Sequence, residues 1–235
     1  KHSFSERILN WGKKNGRHGL PWHPRNGENY DAYKIWVSEI MLQQTQLKTV
    51  LPYFISFIKA FPSIQHLAKS SIENVLFQWA GLGYYRRAIN LHKSAKKICT
   101  KEKFEYPKNA SEWIKLPGIG SSTASAISSF VNSERVPVLD TNVLRVLSRR
   151  YKIGKNLKLV SQQKKVYDQA LNLIPEDKKL IPLYSQFIMD LGSIVCKPVN
   201  PACDICPVSA DCSAYRDNKV DFFPFIYKKS LKFNT

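Results

Sequence analysis

Four of the five cysteines lie close together towards the end of the sequence, in the pattern Cys-x6-Cys-x2-Cys-x5-Cys. They are Cys196, Cys203, Cys206 and Cys212. Four thiolates this close repel one another unless a cation holds them, so in a cytosolic protein the pattern predicts a metal centre rather than disulfide bonds. A [4Fe–4S] cluster and a structural zinc ion both accept four cysteine ligands. Zinc sites usually pair two Cys-x2-Cys units and this run has one, which favours the cluster.

The sequence is strongly basic, with 36 Lys and Arg residues against 18 Asp and Glu residues and a net charge of +18. An excess of this size predicts a polyanionic partner, usually nucleic acid, although a basic surface that only keeps the protein in solution is the alternative. At 235 residues and 43% hydrophobic content, the chain is predicted to be globular, as one large or two small domains. No signal peptide and no apolar run of about 18 residues is visible, so no membrane association is expected.

The segment 116–140 predicts a phosphate-binding turn between two helices. It begins with Leu-Pro-Gly-Ile-Gly, in which the proline ends one helix and Gly118 and Gly120 allow the positive backbone angles of a tight turn. The helix that follows from Ser121 then begins with exposed amide groups, which bind an anion without a basic side chain. Such a hairpin suits DNA of any sequence, because a phosphate carries no base information. A plain helix C-cap is the other interpretation of the two glycines.

Apolar residues recur at helical spacing through most of the sequence, so the fold is predicted to be all-α. The predicted helices cover residues 4–14, a stretch from Asp31, short segments between 48 and 80, and residues 81–98, 121–130, 143–151 and 158–195. Between residues 48 and 80, Pro52 and Pro62 are expected to break the helices. The aromatic run at 221–227 is expected to pack on the core.

The helix predicted from Asp31 has one apolar face, with residues at positions i, i+3, i+4 and i+7. These residues are Tyr33, Trp36, Val37 and Ile40. Glu39 lies at the edge of this face, three residues after Trp36. A carboxyl group there is partly desolvated, which favours its protonated form and suits a general acid. An ordinary solvated glutamate is the more common explanation for a Glu in a helix.

Residues 38–46, with the sequence Ser-Glu-Ile-Met-Leu-Gln-Gln-Thr-Gln, resemble the catalytic helix and following turn of the MutY-type adenine DNA glycosylases. The Leu-Pro-Gly-Ile-Gly turn is similar to the hairpin of the wider helix-hairpin-helix (endonuclease III) superfamily, and the cysteine spacing is similar to its cluster loop. The resemblance covers roughly residues 5–215. It implies two helical subdomains with a DNA cleft between them. These are a six-helix barrel with the hairpin at 29–133 and an iron–sulfur cluster subdomain at 1–28 and 134–215, followed by a basic aromatic tail at 216–235.

The resemblance also implies roles at the bond that is broken. Glu39, when protonated, would donate a proton to the leaving adenine, and Asp140, supported by Asn142, would stabilise the sugar as it becomes cationic. Without the resemblance, Asp140 or Thr141 is an ordinary N-cap of the basic helix that follows. Ser122 stands where bifunctional relatives carry the lysine that forms a Schiff base. The enzyme is therefore expected to be monofunctional and to leave an abasic site.

Besides Ser122, the candidates for the base pocket are Leu20, Trp22 and Asp190. Trp22 follows a proline in a basic loop, where it either packs in the core or forms a wall on which a base stacks. Asp190 either reaches the pocket or has a structural role in its helix.

The residues expected to contact DNA are Leu42, Gln44, Thr45, Tyr84, Tyr85, Arg86, Gly118, Gly120, Ser121 and Lys197. By the resemblance, Leu42 and Gln44 would wedge into the duplex beside the flipped nucleotide, where they replace lost stacking. A tyrosine of the segment 81–88 would contact the base opposite the flipped adenine. Lys197 lies in the loop between the first two cysteines and is expected to contact a phosphate.

The function that the resemblance implies is that of a base-excision repair DNA glycosylase, which flips out adenine mispaired with 8-oxoguanine or guanine and hydrolyses its N-glycosidic bond. Two alternatives stay open: a thymine or uracil glycosylase acting on mispairs with guanine, and a non-catalytic DNA-binding module. Full-length adenine glycosylases continue with a domain that recognises 8-oxoguanine, which this sequence is expected to lack. We expect a monomer that acts on double-stranded DNA, in the cytoplasm of a prokaryote or in a nucleus.

Overall fold

The chain forms two compact units. The computed structural model describes residues 3–24, 28–100, 105–153 and 160–224. One unit, which we call the cysteine unit, consists of Lys1–Arg17, Leu139–Glu176 and Leu183–Thr235. The other, which we call the hairpin unit, consists of His18–Val138 and Asp177–Pro182. The units change at residues 17/18 and 138/139, whereas the expected subdomain limits are 28/29 and 133/134. The division into barrel and cluster subdomains stays a prediction.

The described residues form helices joined by loops and contain no strand, which confirms the all-α prediction. In chain order the α-helices are α1 (Phe4–Asn15), α2 (Ala32–Leu42), α3 (Leu47–Ala60), α4 (Ile64–Lys69), α5 (Ile72–Trp79), α6 (Arg86–Cys99), α7 (Ala110–Trp113), α8 (Ser121–Val131), α9 (Thr141–Tyr151), α10 (Val160–Leu171), α11 (Ile181–Ile194) and α12 (Ser213–Arg216). Short 3₁₀ helices lie at Lys178–Leu180, Cys203–Ile205, Ser209–Asp211 and Val220–Phe222. Within these described ranges, no helix is both long and apolar enough to cross a membrane.

Helix α2 packs against α3, α6 and α8 in the hairpin unit. It begins after Asp31, because the Asp31 side chain accepts hydrogen bonds from two backbone N–H groups of the first turn. Trp36 is completely buried, and its ring centroid lies 5.9 Å from that of Trp113 at the end of α7. An aromatic side chain of this kind buries about 150–250 Å². This packing fixes the position of the helix that carries Glu39.

Helix α3 continues through Pro52, so the predicted break at this residue is wrong. Pro52 is exposed in the second turn of the helix, where its missing N–H group removes one hydrogen bond. Three apolar side chains of α3 remain buried on the opposite face. Burial of each contributes about 1.5–3 kcal/mol, against a cost of about 3 kcal/mol for a proline inside a helix. The break at Pro62, between α3 and α4, is confirmed.

In the cysteine unit, α9 packs against α10 and α12. Its sequence predicts a basic helix, yet Arg145 is only 8% exposed and Arg149 only 2% exposed. Arg150 lies with its guanidinium 4.5 Å from the Phe4 ring of α1 and 3.3 Å from a carboxylate oxygen of Asp211. These contacts connect α1 and the segment between the last two cysteines to α9, which is thus the element that positions the rest of this unit.

The aromatic run near the end packs less than expected. Phe222 is 64% exposed, so the prediction that it packs on the core is wrong. The segment is held through its backbone instead, because the Nε atom of Arg149 donates hydrogen bonds to the carbonyls of Val220 and Phe223. Of the predicted tail, residues 216–224 belong to the cysteine unit. Residues 225–235 lie outside the described residues.

Only one glycine of the Leu-Pro-Gly-Ile-Gly turn has a positive backbone angle. Gly118 has φ +78°, and a Cβ atom there would lie 2.8 Å from the Cβ atom of Asn90 on α6. Gly120 has φ −87° and is the N-cap of α8, so the predicted positive angle at this second glycine is wrong. A Cβ atom at Gly120 would meet no atom within 4 Å in the described structure. The fold therefore requires Gly118, whereas Gly120 leaves open space before the first amides of α8.

We expect Gly118→Ala to lower the free energy of unfolding by about 1–3 kcal/mol, because alanine must adopt a left-handed conformation and its Cβ meets Asn90. Gly120→Ala should lower it by about 1 kcal/mol or less, the usual effect of alanine at an N-cap. Urea unfolding followed by circular dichroism measures both values against the wild type. Equal destabilisation by the two substitutions would contradict this distinction.

Candidate active site and metal centre

Asp140 is the N-cap of α9 in the cysteine unit. Its Oδ1 atom accepts a hydrogen bond of 2.7 Å from the Val143 N–H group, and its Oδ2 atom accepts one of 2.9 Å from Nδ2 of Asn142. A carboxylate has about four acceptor positions, so these two bonds orient the group and leave capacity for a substrate. The capping and catalytic interpretations of Asp140 are therefore compatible.

Arg145 orients Asn142 in turn. Its Nη2 atom donates hydrogen bonds to Oδ1 of Asn142 at 2.8 Å and to the Gly192 carbonyl at 2.6 Å. Its Nε atom donates to the Cys196 carbonyl at 2.7 Å. Because the amide oxygen of Asn142 accepts from Arg145, the amide nitrogen is left to donate to Asp140. A chain of hydrogen bonds thus connects the first clustered cysteine to the candidate catalytic carboxylate.

Gly192 allows α11 to lie directly against the first turn of α9. A Cβ atom at Gly192 would lie 2.7 Å from the Cβ atom and 2.8 Å from the carbonyl oxygen of Asn142. Real Cβ contacts are longer than this, so a larger residue would have to displace Asn142. The glycine therefore contributes to the position of Asp140 through Asn142.

Burial raises the pKa of Asp140, while hydrogen bonds from Val143 and Asn142 and the charge of Arg145 act in the opposite direction. The donors around the carboxyl group therefore favour its ionised form, and desolvation opposes it. An anion held in this way by fixed donors interacts more strongly with a nearby cation than a solvated anion does, because water screens the interaction less.

Glu39 is half-buried on α2, next to the completely buried Ser38 and to Ile40, which is 2% exposed. The Ser38 hydroxyl donates a hydrogen bond of 2.8 Å to the Ile35 carbonyl one turn earlier, so this buried polar group is satisfied within the helix. Glu39 lies where the sequence predicts it, at the edge of an apolar face. Its role as general acid stays a prediction.

The turn that follows α2 contains the residues expected to enter DNA. Gln44 is exposed and has φ +56°, an angle that few residues other than glycine adopt. Leu42 and Thr45 are half-buried, and the Thr45 hydroxyl donates a hydrogen bond of 3.4 Å to the Gln43 carbonyl. The turn therefore presents Gln44 to solvent and keeps Leu42 partly covered.

Tyr84, Tyr85 and Arg86 lie at the start of α6 and are exposed. Tyr84 is 59% exposed and Tyr85 47% exposed. All three line a pocket of about 240 Å³ together with residues of the turn after α2. Its lining residues are Gln43, Gln44, Tyr84, Tyr85, Arg86 and Arg87. The structure thus brings together the turn that was expected to wedge beside the flipped nucleotide and the tyrosine segment that was expected to contact the opposite base.

The first turn of α8 has backbone N–H groups that no side chain caps, and the short side chain of Ser122 lies in the same turn. Gly120 provides no side-chain cap, and Ser121 is exposed. Ser122 is half-buried in the same turn. Contact of these residues with DNA or with a flipped base stays a prediction.

Trp22 is 4% exposed, and its ring packs edge-to-face against Phe54 with centroids 4.9 Å apart. The packing interpretation of Trp22 is therefore confirmed. Leu20, two residues earlier, is half-buried. A base pocket formed by Leu20 and Trp22 stays a prediction.

Asp190 is completely buried in α11. Its Oδ2 atom accepts a hydrogen bond of 2.8 Å from the Arg17 backbone N–H group, and its Oδ1 atom accepts one of 2.9 Å from Nε2 of Gln186. The Nε atom of Arg17 lies 3.6 Å from Oδ1 as an ion pair. These contacts support a structural role, in which Asp190 holds the segment that follows α1. Contact with a base stays a prediction.

The four clustered cysteines line one pocket of the cysteine unit, together with Arg149, Val195 and Val220 among others. Burial raises the pKa of Cys206 to about 11 and also raises that of Cys203. Metal binding would displace these thiol protons. Among the described residues, no group of three or more His, Cys, Asp or Glu side chains is placed so that it could hold a single metal ion. The fit to an iron–sulfur cluster therefore rests on four sulfur donors that share one pocket.

Arg149 joins this pocket to the segment 220–223. Its Nη1 atom donates hydrogen bonds to Sγ of Cys196 at 3.3 Å and to the Lys197 carbonyl at 2.7 Å. Its Nε atom reaches the Val220 carbonyl at 3.1 Å and the Phe223 carbonyl at 3.0 Å. These bonds hold the Cys196 side chain and the backbone beside it against α9. The Lys197 residue is exposed, as expected of a phosphate contact.

Sequence reasoning missed the positioning roles of Arg145, Arg149 and Gly192. The available signal was spacing: Arg145 follows Asn142 by three residues and precedes Arg149 by four, so the three share one face of α9. Gly192 lies inside a helical pattern, where a glycine indicates a close approach of another backbone.

An all-helical chain with a Leu-Pro-Gly-Ile-Gly hairpin and a four-cysteine centre has the features of a helix-hairpin-helix DNA repair protein. Residues 37–176 match the family described as HhH-GPD superfamily base excision DNA repair protein, and residues 196–212 match the iron–sulfur binding domain of endonuclease III. The chain belongs to the HhH-GPD superfamily of base excision DNA repair proteins. The iron–sulfur binding domain that it contains at residues 196–212 indicates a [4Fe–4S] cluster, and the assignment of the four cysteines as its ligands stays a prediction.

Among curated relatives, the adenine DNA glycosylase of Buchnera aphidicola subsp. Schizaphis graminum is 43% identical over 97% of this chain. The chain spans 64% of that relative's length. Among solved structures, a thermostable thymine-DNA glycosylase has a TM-score of 0.78 at 25% identity, over 91% of this chain and 95% of its own. Endonuclease III in a non-covalent DNA complex has a TM-score of 0.71 at 20% identity, over 91% and 94%, which shows the shared fold.

We expect Arg149→Met to release the cluster about 10-fold faster or more, because residues that support metal ligands have effects of this size. The substitution removes the donor to Cys196 and the anchor of residues 220–223. The loss of the cluster is measured in the presence of a chelator by the decrease in absorbance at about 410 nm and in iron content. Arg216→Met, at a side chain that is 71% exposed, is the matched control. Equal rates for the two variants would contradict this role of Arg149.

Proposed function

We propose that this chain carries the catalytic machinery of a DNA glycosylase that removes adenine mispaired with 8-oxoguanine or guanine. The observation that carries the proposal is the desolvated Asp140 carboxylate at the start of α9, oriented by Asn142. It occurs in a chain that is similar over 97% of its length to an adenine DNA glycosylase.

The reaction presents three physical problems. The N-glycosidic bond is hidden in the duplex, so the nucleotide must first leave the base stack. The base departs with negative charge, and the sugar becomes cationic as the bond breaks. In the proposal, Glu39 acts on the base and Asp140 acts on the sugar.

Glu39 is assigned as the general acid. In its protonated form it donates to N7 of adenine and neutralises the leaving group, which contributes roughly 10²–10⁴-fold to the rate. Its half-buried position on α2, beside the completely buried Ser38, is compatible with this role. A glutamate at this place also fits the resemblance of residues 38–46 to the catalytic helix of adenine glycosylases.

Asp140 is assigned as the anion that stabilises the sugar. A unit charge about 4 Å from the developing cation contributes about 4 kcal/mol at an effective dielectric constant of about 20. This is similar in size to the general-acid effect, so the loss of either carboxyl group should disable the enzyme. By analogy with retaining glycosidases, Asp140 bonds transiently to the sugar in an alternative route, and Glu39 then activates water.

Ser122 supports a monofunctional reaction. A serine in the first turn of α8 has no amine with which to form a Schiff base, so water completes the reaction and strand cleavage does not follow. The product of this route is DNA with an abasic site.

DNA binding is proposed to use phosphate contacts at the open N-terminus of α8 and at Lys197. The net charge of +18 supports such contacts. With about six phosphates neutralised, log affinity should fall with log salt at a slope of about −5. We propose a monomer that acts where the DNA is, in a prokaryotic nucleoid or a nucleus.

A second candidate function is the removal of thymine or uracil opposite guanine. It is favoured by one observation, the TM-score of 0.78 with a thymine-DNA glycosylase at 25% identity. The Gln-rich turn after α2 and Ser122 argue for adenine, because both belong to the pattern of the adenine enzymes.

A single-turnover panel tests the function. Duplexes of one sequence are prepared with adenine opposite 8-oxoguanine, with adenine opposite guanine, and with thymine or uracil opposite guanine. Alkali then cleaves the strand at each abasic site, so the cleaved fraction measures base release. Release of adenine supports the proposal, and the ratio of the two adenine rates gives the preference for the opposite base. Release of thymine or uracil alone supports the second candidate, and no release from any duplex supports a non-catalytic binding module.

We expect Glu39→Gln and Asp140→Asn each to lower the rate of adenine release by at least about 100-fold, because each removes one of the two charge-stabilising effects. Both substitutions keep the size of the side chain, so affinity for the mispaired duplex should change little. Gel-shift titration measures the affinity, and the single-turnover assay measures the rate. Activity at the wild-type level in either variant would show that the site assignment is wrong.

The rate should also depend on pH through Asp140. Burial raises the pKa of Asp140, so the carboxylate is protonated at a higher pH than an ordinary aspartate. The rate of adenine release should therefore begin to fall at that higher pH as the solution is made more acidic. Asn142→Leu removes a hydrogen bond that lowers this pKa, so the acid limb of the rate profile should move to still higher pH. Thr141→Ala, at the exposed neighbouring residue, is the control and should leave the limb in place. An unmoved limb in Asn142→Leu would contradict this account.

A further inference from the structure

Arg87 lies in the first turn of α6 and is 8% exposed. Its Nη1 atom donates hydrogen bonds to three backbone carbonyls, those of Ile40 at 3.1 Å, Met41 at 2.7 Å and Gln43 at 2.6 Å. Its Nη2 atom donates to the Gly83 carbonyl at 3.2 Å. One guanidinium group thus connects two separate backbone segments of the hairpin unit.

The first of these segments is the C-terminus of α2, the helix that carries Glu39. The last carbonyl groups of a helix have no partner within the helix and carry a partial negative charge. The guanidinium of Arg87 bonds to two of these groups, on Ile40 and Met41, and to the carbonyl of the cap residue Gln43. It therefore fixes the point at which the helix changes into the turn around Gln44, which we call the Gln44 turn. A fixed turn is needed there, because φ +56° at Gln44 is a conformation that a loosely held chain seldom keeps.

The second segment is the turn before α6. The Cζ atom of Arg87 lies 5.2 Å from the ring centroid of Tyr84 and 5.5 Å from that of Trp79, both within the range of cation–π contacts. The Nε1 atom of Trp79 also donates a hydrogen bond of 3.1 Å to the Gly83 carbonyl. Arg87 therefore holds both the backbone of this turn and the exposed Tyr84 ring.

Gln43 extends the connection to the hairpin. Its Nε2 atom donates hydrogen bonds to the Gly118 carbonyl at 3.2 Å and to the Thr123 hydroxyl at 3.1 Å. Since Arg87 holds the backbone of Gln43 and the Gln43 side chain holds the hairpin, the three segments expected to contact DNA have fixed positions relative to one another.

We infer that Arg87 is a positioning residue for base extrusion, which sets the spacing between the Gln44 turn and Tyr84 so that the two can hold a duplex open. This inference rests on the proposed function. A phosphate contact is a poor alternative role for Arg87, because its charged group is buried and already bonded. The loss of Arg87 should therefore impair extrusion far more than the attraction to DNA.

Three substitutions separate these effects. Arg87→Met removes the donors and the charge, and Arg87→Lys keeps the charge but lacks the planar fork. Lys93→Met removes an equal charge from the exposed face of the same helix and is the matched control. Each is combined with Asp140→Asn, so that the base stays attached to the DNA. The probe is a duplex with 2-aminopurine, an adenine analogue that fluoresces when unstacked, opposite 8-oxoguanine.

We expect Arg87→Met to reduce the fluorescence rise at saturating protein at least about 10-fold, because small displacements of positioning groups have effects of this order or larger. Its Kd for an undamaged duplex at the same salt concentration should change less than about twofold. Lys93→Met should leave the rise unchanged. Arg87→Lys should lie between these two, since an ammonium group reaches fewer carbonyls at once.

A full fluorescence rise in Arg87→Met would overturn the inference, and so would an equal loss of affinity for undamaged DNA. If Arg87→Met does not unfold cooperatively, it is not properly folded, and the test then uses Arg87→Lys and Gln43→Ala. A full fluorescence rise in both of these variants would overturn the inference. If the Asp140→Asn parent gives no rise, the proposed function has failed, and the role of Arg87 fails with it. A rise in the parent that Arg87→Met abolishes supports both.

Discussion

Hydrogen bonds from buried guanidinium groups to backbone carbonyls are the interaction on which the candidate chemistry of both units depends. In the cysteine unit, Arg145 holds the Gly192 and Cys196 carbonyls while it orients Asn142. In the hairpin unit, Arg87 holds the end of the helix that carries Glu39. Each candidate catalytic carboxyl group is thus placed by an arginine on a neighbouring turn or helix, so side chains that would not touch substrate determine where the carboxyl groups lie.

Arginine suits this task for physical reasons. A buried charge costs several kcal/mol in lost hydration, and that cost is offset only when the charge has good partners. A guanidinium has five N–H donors in one plane and is less strongly hydrated than an ammonium group, so it can satisfy several carbonyls at once. Carbonyls at a helix end add the favourable interaction with the helix dipole. A lysine at Arg87 would keep the charge and lose this geometry, which is why charge alone does not describe the residue.

The parts of the fold that sequence predicted are those that local spacing determines. The helical period located α2 and α9, the cysteine spacing located the metal centre, and the motif around Glu39 identified the turn that follows. The directions of Arg145 and Arg149 could not be predicted in the same way, because they depend on carbonyls that are distant in the sequence. The predictions of a helix break at Pro52 and of a positive backbone angle at Gly120 were wrong for related reasons. Burial of other α3 side chains outweighs the proline, and the conformation at Gly120 depends on how α8 begins.

The buried arginines also change the meaning of the net charge. The value of +18 counts Arg87, Arg145 and Arg149, which are 8%, 8% and 2% exposed and bonded to the protein's own backbone. These groups contribute to the long-range field but cannot contact a phosphate unless the fold opens. In the proposed function, the short-range part of DNA binding is therefore assigned to exposed positions, for which Lys197 and the uncapped amides of α8 are the candidates. A basic sequence thus contains two populations of arginine, one that attracts a polyanion and one that shapes the site, and only tertiary packing separates them.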